Sequence, residues 1–232
     1  MASISELKSE YLSKKTQITE RLNHFQIFYN EPVSWHYSDG NIILNSSNKN
    51  HDERIFEELC FCILTANTSA EMGAKSVDAV RDLLIGGTPA EMKQKLEGIY
   101  RFKNLRPAYI VHTRDFLKAH CNFRLKEFIE SFEDKIALRD FFAMNKDVKG
   151  LGMKESSHFL RNIGFKGYAI LDKHIINSLH EFGVLETNIK PKNRNEYLEM
   201  ENKLKQFSEK IGINMDELDL LLWSGKTGKI LK

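Results

Sequence analysis

The sequence predicts an all-α protein, and three observations support this. Apolar residues recur at helical spacing through most of the 232-residue chain, strand signals are nearly absent, and only four prolines interrupt the pattern. Hydrophobic residues make up 41% and charged residues 28%, as in a globular protein with a sizeable core. The formal net charge is only +2, so any nucleic-acid-binding face must be a local feature.

The predicted elements follow in order along the chain. Residues 4–25 form a first helix, and residues 30–50, rich in Asn and Ser, form a turn or short hairpin. The segment 53–66 is apolar on nearly every face of its second half, which places it centrally in the core. Thr88 before Pro89 predicts a helix N-cap followed by proline in the first turn. Further helices are predicted at 71–86, 89–97, 106–120, 124–132, 135–145, 154–163, 172–182, 194–211 and 214–223.

Composition also bears on cofactors and location. The three cysteines, Cys60, Cys62 and Cys121, are too few for a four-cysteine zinc site or a four-thiolate iron–sulfur cluster. We predict that they are buried free thiols in a reducing cytoplasm. No apolar stretch approaches the roughly 18 residues of a membrane span, and the N-terminus lacks the apolar core of a signal peptide. We therefore expect a cytoplasmic protein without a membrane partner.

The most informative stretch is residues 148–154 (VKGLGMK), which lies between two predicted helices. Gly150 and Gly152 flank a single apolar residue, a pattern that suits a tight turn with uncovered backbone N–H groups. The next helix begins at once, so its free N–H groups and positive dipole end point the same way. Such a corner can bind one phosphate without reading base sequence. A plain helical corner, with the glycines serving only as caps, remains open from the pattern alone.

Lys154 follows this turn directly, and Asp172 comes eighteen residues later in the run AILDKH. Both residues lie at predicted helix starts and can therefore face one cleft. An amine nucleophile must be unprotonated, so a lysine with a reference pKa of about 10.4 needs desolvation or a nearby cation. A carboxylate near C1′ of a deoxyribose would stabilise the positive charge that develops as a glycosidic bond breaks. From spacing alone, a solvated lysine and an aspartate N-cap explain the pair equally well.

These residues resemble a known family. KGLGMKESSHFLRNIG followed by AILDKHI is similar to the helix-hairpin-helix DNA glycosylases, and within them to 8-oxoguanine DNA glycosylase/AP lyases of the second, archaeal and bacterial, type. The similarity runs with interruptions from about Glu58 to the last residue and is densest at 148–176. We accordingly predict two helical lobes with a DNA-binding cleft between them. Residues 53–165 would form a central lobe ending in the helix-hairpin-helix, and 1–52 plus 166–232 a second lobe formed by both termini.

The resemblance implies roles for the residues already singled out. Lys154 stands where the family has its Schiff-base lysine, and Asp172 stands at the family's carboxylate. Gly150 and Gly152 stand in the phosphate-binding hairpin, and His174 matches a position near the DNA backbone.

The same resemblance extends to five residues elsewhere in the chain. It implies that Asn67 helps to fill the space left by a flipped base, that Arg101 contacts the opposite strand and that Phe102 contacts the extruded base. Near the chain end, Trp223 stands where an aromatic stacks on the flipped purine. The last residue, Lys232, stands where a terminal lysine helps to distinguish 8-oxoguanine from guanine.

The sequence departs from the superfamily pattern at three points. The hairpin lacks a proline, and the loop before Asp172 has Gly164 and Gly167 but no proline. The cysteine pattern of the iron–sulfur members is also missing, which argues against the endonuclease III and adenine glycosylase branches.

The resemblance therefore implies a bifunctional enzyme acting on double-stranded DNA that contains 8-oxoguanine. It would flip the base, form a Schiff base on Lys154 and cut the strand by β-elimination, as a nucleoid-associated monomer without a cofactor or a catalytic metal. Two alternatives remain open. One is a glycosylase of the same fold for another damaged base, and the other is a non-catalytic helix-hairpin-helix DNA-binding module.

Overall fold

A computed structural model describes residues 3–232 of the chain. This part is mostly helical, with one two-stranded antiparallel sheet, so the predicted class is confirmed. The elements in chain order are α1 (Ile4–Asn30), β1 (Val33–Ser38), β2 (Asn41–Ser46), α2 (His51–Thr65), α3 (Ala70–Val80), a 3₁₀ turn (Arg81–Leu83), α4 (Pro89–Lys95), α5 (Arg106–Cys121), α6 (Leu125–Glu130), α7 (Lys135–Met144), α8 (Met153–Asn162), α9 (Lys173–Glu181), α10 (Arg194–Ile211) and α11 (Met215–Thr227). Within residues 3–232, every helix is too short or too polar to cross a membrane.

Side-chain caps fix where several helices begin. Thr88 accepts a hydrogen bond from the backbone N–H of Glu91, and Pro89 occupies the first turn of α4, so the predicted N-cap is confirmed. The helix predicted at 71–86 is shorter, because α3 tightens into the 3₁₀ turn after Val80. Conversely, α11 runs past the predicted residue 223 and ends at Gly228, which takes the left-handed conformation of a helix C-cap.

The hairpin predicted within residues 30–50 is present as β1 and β2. Its turn is formed by Asp39 and Gly40, whose φ angles of 49° and 79° suit a two-residue Asp-Gly hairpin connection. Alternation along the strands buries Trp35 and Ile42 and leaves Ile43 exposed. The hairpin therefore covers one side of the core instead of forming a layer of its own.

Two apolar cores divide the described chain. The first is built around α2, which is buried along almost its whole length as predicted, and it extends to Tyr168. The end of α1 and the hairpin add Phe28 and Trp35 to this first core. The second core joins Leu7 and Ile18 of α1 to the segment 169–222. The lobe boundaries at residues 53 and 165 stay a prediction.

Candidate active site

A cleft of about 1080 Å³ lies where residues of the two cores meet. Its walls come from the start of α8, the start of α9, the end of α11 and the last residues of the chain. Of the residues singled out from the sequence, all except Gly150 and Phe102 line it: Asn67, Arg101, Gly152, Lys154, Asp172, His174, Trp223 and Lys232. The fold therefore brings together side chains that are far apart in sequence.

Glycine stands at positions 150 and 152 of the hairpin for different structural reasons. Gly150 has a φ of 83°, and a Cβ there would lie 2.8 Å from the Tyr109 ring and 2.9 Å from the Arg106 guanidinium. The backbone at Gly152 is extended, and a Cβ there would meet only the Glu155 carboxylate, at 3.4 Å. The turn therefore requires glycine at position 150, whereas Gly152 leaves the approach to the start of α8 uncovered.

Lys154 lies in the first turn of α8 and opens onto the cleft. Its side chain is 28% exposed, and Nζ lies 3.2 Å from Oε1 of Glu155. The other carboxylate oxygen of Glu155 accepts a hydrogen bond of 3.3 Å from the backbone N–H of Gly152. Glu155, which the sequence analysis missed, therefore links the hairpin backbone to the lysine.

Asp172 is the N-cap of α9. Its Oδ1 accepts hydrogen bonds from the backbone N–H groups of His174 and Ile175, at 2.8 and 2.9 Å. Within residues 3–232, Oδ2 has no hydrogen-bond partner, and the residue lines the cleft. The capping interpretation of this aspartate is therefore correct, and it leaves one oxygen for a second role.

The floor of the cleft holds a buried ion pair. Nη1 of Arg161 lies 3.3 Å from Oδ2 of Asp219, while Oδ1 accepts from the backbone N–H of Ile170, two residues before Asp172. Burial raises the pKa of Asp219 to about 7, against the opposing charge of Arg161 and with a further contribution from the negative charge of Asp172. Asp219 thus fixes the backbone that leads into Asp172.

His158 lies four residues after Lys154 on α8 and also lines the cleft. The residue is only 7% exposed, and its Nε2 has no hydrogen-bond partner within the described chain. Burial lowers the pKa of His158 well below its usual value, and the positive charges of Arg161, Lys154 and Lys232 act in the same direction. The imidazole is therefore neutral near pH 7.

The end of the chain returns to the cleft. Trp223, near the end of α11, is half-buried in its wall, and residues 231 and 232 also line it. The Lys232 side chain is buried in an ion pair with Glu58 of α2. Burial lowers the pKa of Lys232, and the Glu58 carboxylate opposes this shift. The Lys232 ammonium therefore points into the core and away from the cleft.

Asn67, Arg101 and Phe102 form a small cluster at the other rim. The Arg101 guanidinium donates to the backbone carbonyl of Asn67 at 2.7 Å and lies over the Phe102 ring at 4.3 Å. Asn67 is exposed and has a φ of 63°, a conformation that asparagine tolerates better than most residues. Phe102 packs against the first core outside the cleft lining, so its contact with an extruded base stays a prediction.

The sequence analysis missed a basic wall of the cleft. Lys190, Lys192 and Arg194 come from the run KPKNR before and at the start of α10, and Lys173 lies beside Asp172. The run was visible in the sequence as a local cluster of positive charge. Within residues 3–232, no group of three or more His, Cys, Asp or Glu side chains is placed to hold a metal ion.

The cysteines lie away from this cleft lining. Cys60 and Cys62 are free and fully buried in α2, as predicted, and burial raises the pKa of both thiols well above the usual value. Cys121 is free but only half-buried, so the prediction of a buried thiol is wrong for this residue.

Comparisons with known proteins agree with this geometry. A family model described as 8-oxoguanine DNA glycosylase matches residues 43–213. A protein of Methanocaldococcus jannaschii named 8-oxoguanine DNA glycosylase/AP lyase is 36% identical over 99% of this chain and 97% of its own length. One of the same name from Korarchaeum cryptofilum is 43% identical over 78% of this chain and 84% of its own.

A solved structure is similar over the same length. The Methanocaldococcus jannaschii 8-oxoguanine glycosylase/lyase, in complex with a 15mer DNA containing 8-oxoguanine, superposes with a TM-score of 0.82. It is 35% identical and covers 99% of both chains. The resemblance seen in the hairpin segment is thereby confirmed over the whole fold, and the chain belongs to the 8-oxoguanine DNA glycosylase family.

Proposed function

We propose that this protein is a bifunctional DNA glycosylase/AP lyase that excises 8-oxoguanine from double-stranded DNA. The observation that carries the proposal is the cleft in which Lys154 and Asp172 stand at the starts of two consecutive helices. Relatives named 8-oxoguanine DNA glycosylase/AP lyase match nearly the whole chain, which supports the same chemistry at this site. Acting as a monomer on chromosomal DNA, the protein would work at the nucleoid.

In this mechanism, the damaged base leaves the stack before the bond breaks, because a stacked base hides C1′ from a nucleophile. Nζ of Lys154, as the neutral amine, attacks C1′, and the bond from C1′ to the base nitrogen breaks with its electron pair leaving on the base, which takes up the proton that Nζ loses. The unpaired Oδ2 of Asp172 stabilises the positive charge that develops on the sugar. The C1′–O4′ bond of the sugar then breaks, with a proton going to O4′, which gives the Schiff base between Lys154 and C1′. The Schiff base accepts the electron pair left when C2′ loses a proton, and the 3′ phosphate departs by β-elimination, which cuts the strand 3′ to the lesion.

DNA contacts surround this pair. The hairpin with Gly150 and Gly152 presents backbone N–H groups at the start of α8, where a phosphate binds favourably. The Gly152 N–H now donates to Glu155, so a phosphate would displace this carboxylate and also release Lys154 from it. We assign to His174 a contact with the DNA backbone beside the lesion.

At the opposite rim, Arg101 and Asn67 face the complementary strand and the gap left by the flipped base. Their shared hydrogen bond keeps both at the exposed edge of the cleft, where a duplex would reach them. Lys173, Lys190 and Lys192 of the basic wall would neutralise phosphates along the same face. This local positive charge explains how a chain of net charge +2 binds DNA.

Base recognition is assigned to the end of the chain. Trp223 offers a half-buried ring face in the cleft, and stacking on an aromatic contributes about 1–3 kcal/mol per base. 8-Oxoguanine carries a hydrogen on N7 that guanine lacks, so an acceptor placed there rejects guanine. Lys232 and the backbone around it line the cleft and supply that discrimination in our proposal, with Phe102 as an additional contact to the base.

Borohydride trapping on a panel of lesion duplexes tests this function. The protein should form a covalent adduct with DNA containing 8-oxoguanine and no adduct with the matched guanine duplex. Adducts only with an oxidised pyrimidine or an alkylated purine would indicate a glycosylase for another base. Binding without an adduct on any lesion would indicate a non-catalytic DNA-binding module.

A further inference from the structure

A buried carboxylate in α2 has no part in the proposed chemistry and yet contacts the chain end. Glu58 is 2% exposed and lies in α2 immediately before its apolar second half, residues 59–64. Its Oε1 accepts a hydrogen bond of 2.7 Å from the Asn162 side chain, and its Oε2 accepts from the Lys232 ammonium. A buried carboxylate is tolerated only when it is paired and hydrogen-bonded, and these two contacts satisfy both of its oxygens in the core.

The Lys232 ammonium is enclosed just as completely. Its side chain is 2% exposed, and Nζ lies over the face of Phe61 at 4.0 Å and over Trp35 at 4.8 Å. Aromatic faces attract a desolvated cation, but they cannot replace a counter-ion. Glu58 is therefore the counter-ion that this buried ammonium requires.

Asn162 holds the Glu58 carboxylate in one orientation. The Asn162 side-chain oxygen accepts from the Arg161 guanidinium at 3.1 Å, and Arg161 in turn pairs with Asp219 under the cleft. Each member of this chain of hydrogen bonds is buried, so rotation of one side chain would leave another unsatisfied. The Lys232 ammonium is thus bound to a fixed carboxylate.

The buried ion pair of Lys232 also affects the cleft, because part of Lys232 forms its wall. Lys232 lines the large cleft, and Leu231 lines it too, although the ammonium points the other way into the core. We propose that Glu58 is a positioning residue for base selectivity. By fixing the Lys232 ammonium in the core, it holds Leu231 and Lys232 as the cleft wall against which the flipped base is read. This inference rests on the proposed function.

The substitution Glu58→Gln tests the proposal, because it keeps the shape and the Asn162 contact but removes the charge. Limited trypsin cleavage after the exposed Lys229, followed by mass spectrometry, should become faster as the chain end loosens. The ratio of 8-oxoguanine excision to guanine excision should fall about tenfold, the loss expected when the cleft wall no longer holds one hydrogen bond to the base. Excision should also fall more than cleavage of a preformed abasic site, which presents no base to the cleft wall. General destabilisation would lower both activities together.

Glu57→Gln is the matched control. Glu57 is the neighbouring residue in α2, is 4% exposed, and pairs with Arg81 and Lys49 instead of the Lys232 ammonium. Glu57→Gln also loses a buried ion pair, yet trypsin cleavage after Lys229 and the excision ratio should stay at the parent values.

A second variant keeps the test decisive if Glu58→Gln folds poorly. Glu58→Gln combined with Lys232→Met removes both charges and leaves an apolar chain between Phe61 and Trp35. Its selectivity should exceed that of Lys232→Met alone, which leaves the Glu58 carboxylate buried without its cation, whereas equal selectivity in these two variants would overturn the proposal. Parent-like trypsin cleavage after Lys229 in Glu58→Gln, or a loose chain end with parent selectivity, would overturn it as well. A parent protein that does not excise 8-oxoguanine would contradict the proposed function, while trypsin cleavage would still report on the anchor.

Discussion

Two lysines line the same cleft in opposite environments. Lys154 is 28% exposed, and the charged partner within ion-pair distance is its own neighbour, Glu155. Lys232 is 2% exposed and is enclosed by Glu58 and two aromatic rings. The first amine can be reached by a sugar carbon and can change partners. The second cannot move without breaking a buried ion pair.

The difference shows how one residue type serves two purposes. A nucleophile needs access to its substrate and loose partners that DNA can displace. An anchor needs burial, because an ion pair screened by water contributes little, whereas losing one partner of a buried pair is strongly destabilising. Position in the fold, and not the chemistry of the amine alone, therefore separates the two roles.

Exchanging the two lysines for glutamine gives the largest expected contrast. Lys154→Gln should abolish borohydride trapping and slow excision on the order of 10³-fold or more, because the amine that forms the covalent bond is gone. Lys232→Gln should still be trapped on 8-oxoguanine DNA, although with weaker discrimination against guanine. Trapping yield on a gel measures both. An adduct that persists in Lys154→Gln would mean that another amine is the nucleophile.

Asp172 extends this comparison, because its Oδ1 caps α9 while its Oδ2 has no hydrogen-bond partner within residues 3–232. Asp172→Asn keeps an N-cap of nearly equal quality, so the free energy of unfolding should change by less than about 1 kcal/mol. Excision should nevertheless slow about 10²-fold, because the neutral amide stabilises the developing positive charge poorly. Single-turnover rates and urea unfolding measure the two effects separately.

Asp172→Ala is the companion variant, and it loses the cap as well. It should lose about 1 kcal/mol of stability beyond the Asn variant. Equal excision rates for Asp172→Asn and the parent would show that the residue acts only as a cap.

The exposed part of the site, around Lys154 and Asp172, could be predicted from the sequence because the signals for it are local. The glycine pattern of residues 148–154 predicted the hairpin and the start of α8, and Gly150 does take the positive φ that the turn needs. The cap at Asp172 follows from residue type and its place before an amphipathic helix. The hairpin predicted within residues 30–50 also carries a local signal, because Gly40 follows Asp39 at its turn.

The buried ion pairs could not be predicted from the sequence, because the two partners of each pair are distant in sequence. Glu58 and Lys232 are 174 positions apart, and nothing near Glu58 marks it as more than a polar interruption of an apolar helix. The same holds for Arg161 and Asp219, which are 58 positions apart. The predicted role of Lys232 came from a family resemblance, which did not indicate that its ammonium faces the core. Tertiary packing alone fixes that direction.

A pH-dependent effect on stability is expected at Asp219, where the buried hydrogen-bond chain reaches the floor of the cleft. Burial raises the pKa of this carboxyl to about 7, so the folded protein holds its proton more tightly than the unfolded chain does. Its contribution to stability is therefore greatest in acid and is lost as the pH rises from about 4 to 7. The stability advantage of the parent over Asp219→Asn should be larger at pH 5 than at pH 8, on the order of 2 kcal/mol.

Urea unfolding of both proteins at the two pH values measures this difference, and comparing them cancels the other titrating groups. Asp82→Asn is the control, because the ion pair with Lys95 lowers the pKa of that exposed carboxyl and confines its titration to pH values below about 4. Its difference from the parent should be the same at pH 5 and pH 8. A parent advantage over Asp219→Asn that does not change with pH would mean that Arg161 keeps Asp219 ionised throughout. The Arg161–Asp219 pair at the end of the buried hydrogen-bond chain would then be charged at both pH values. The open and buried sides of the cleft would differ only in their exposure to solvent.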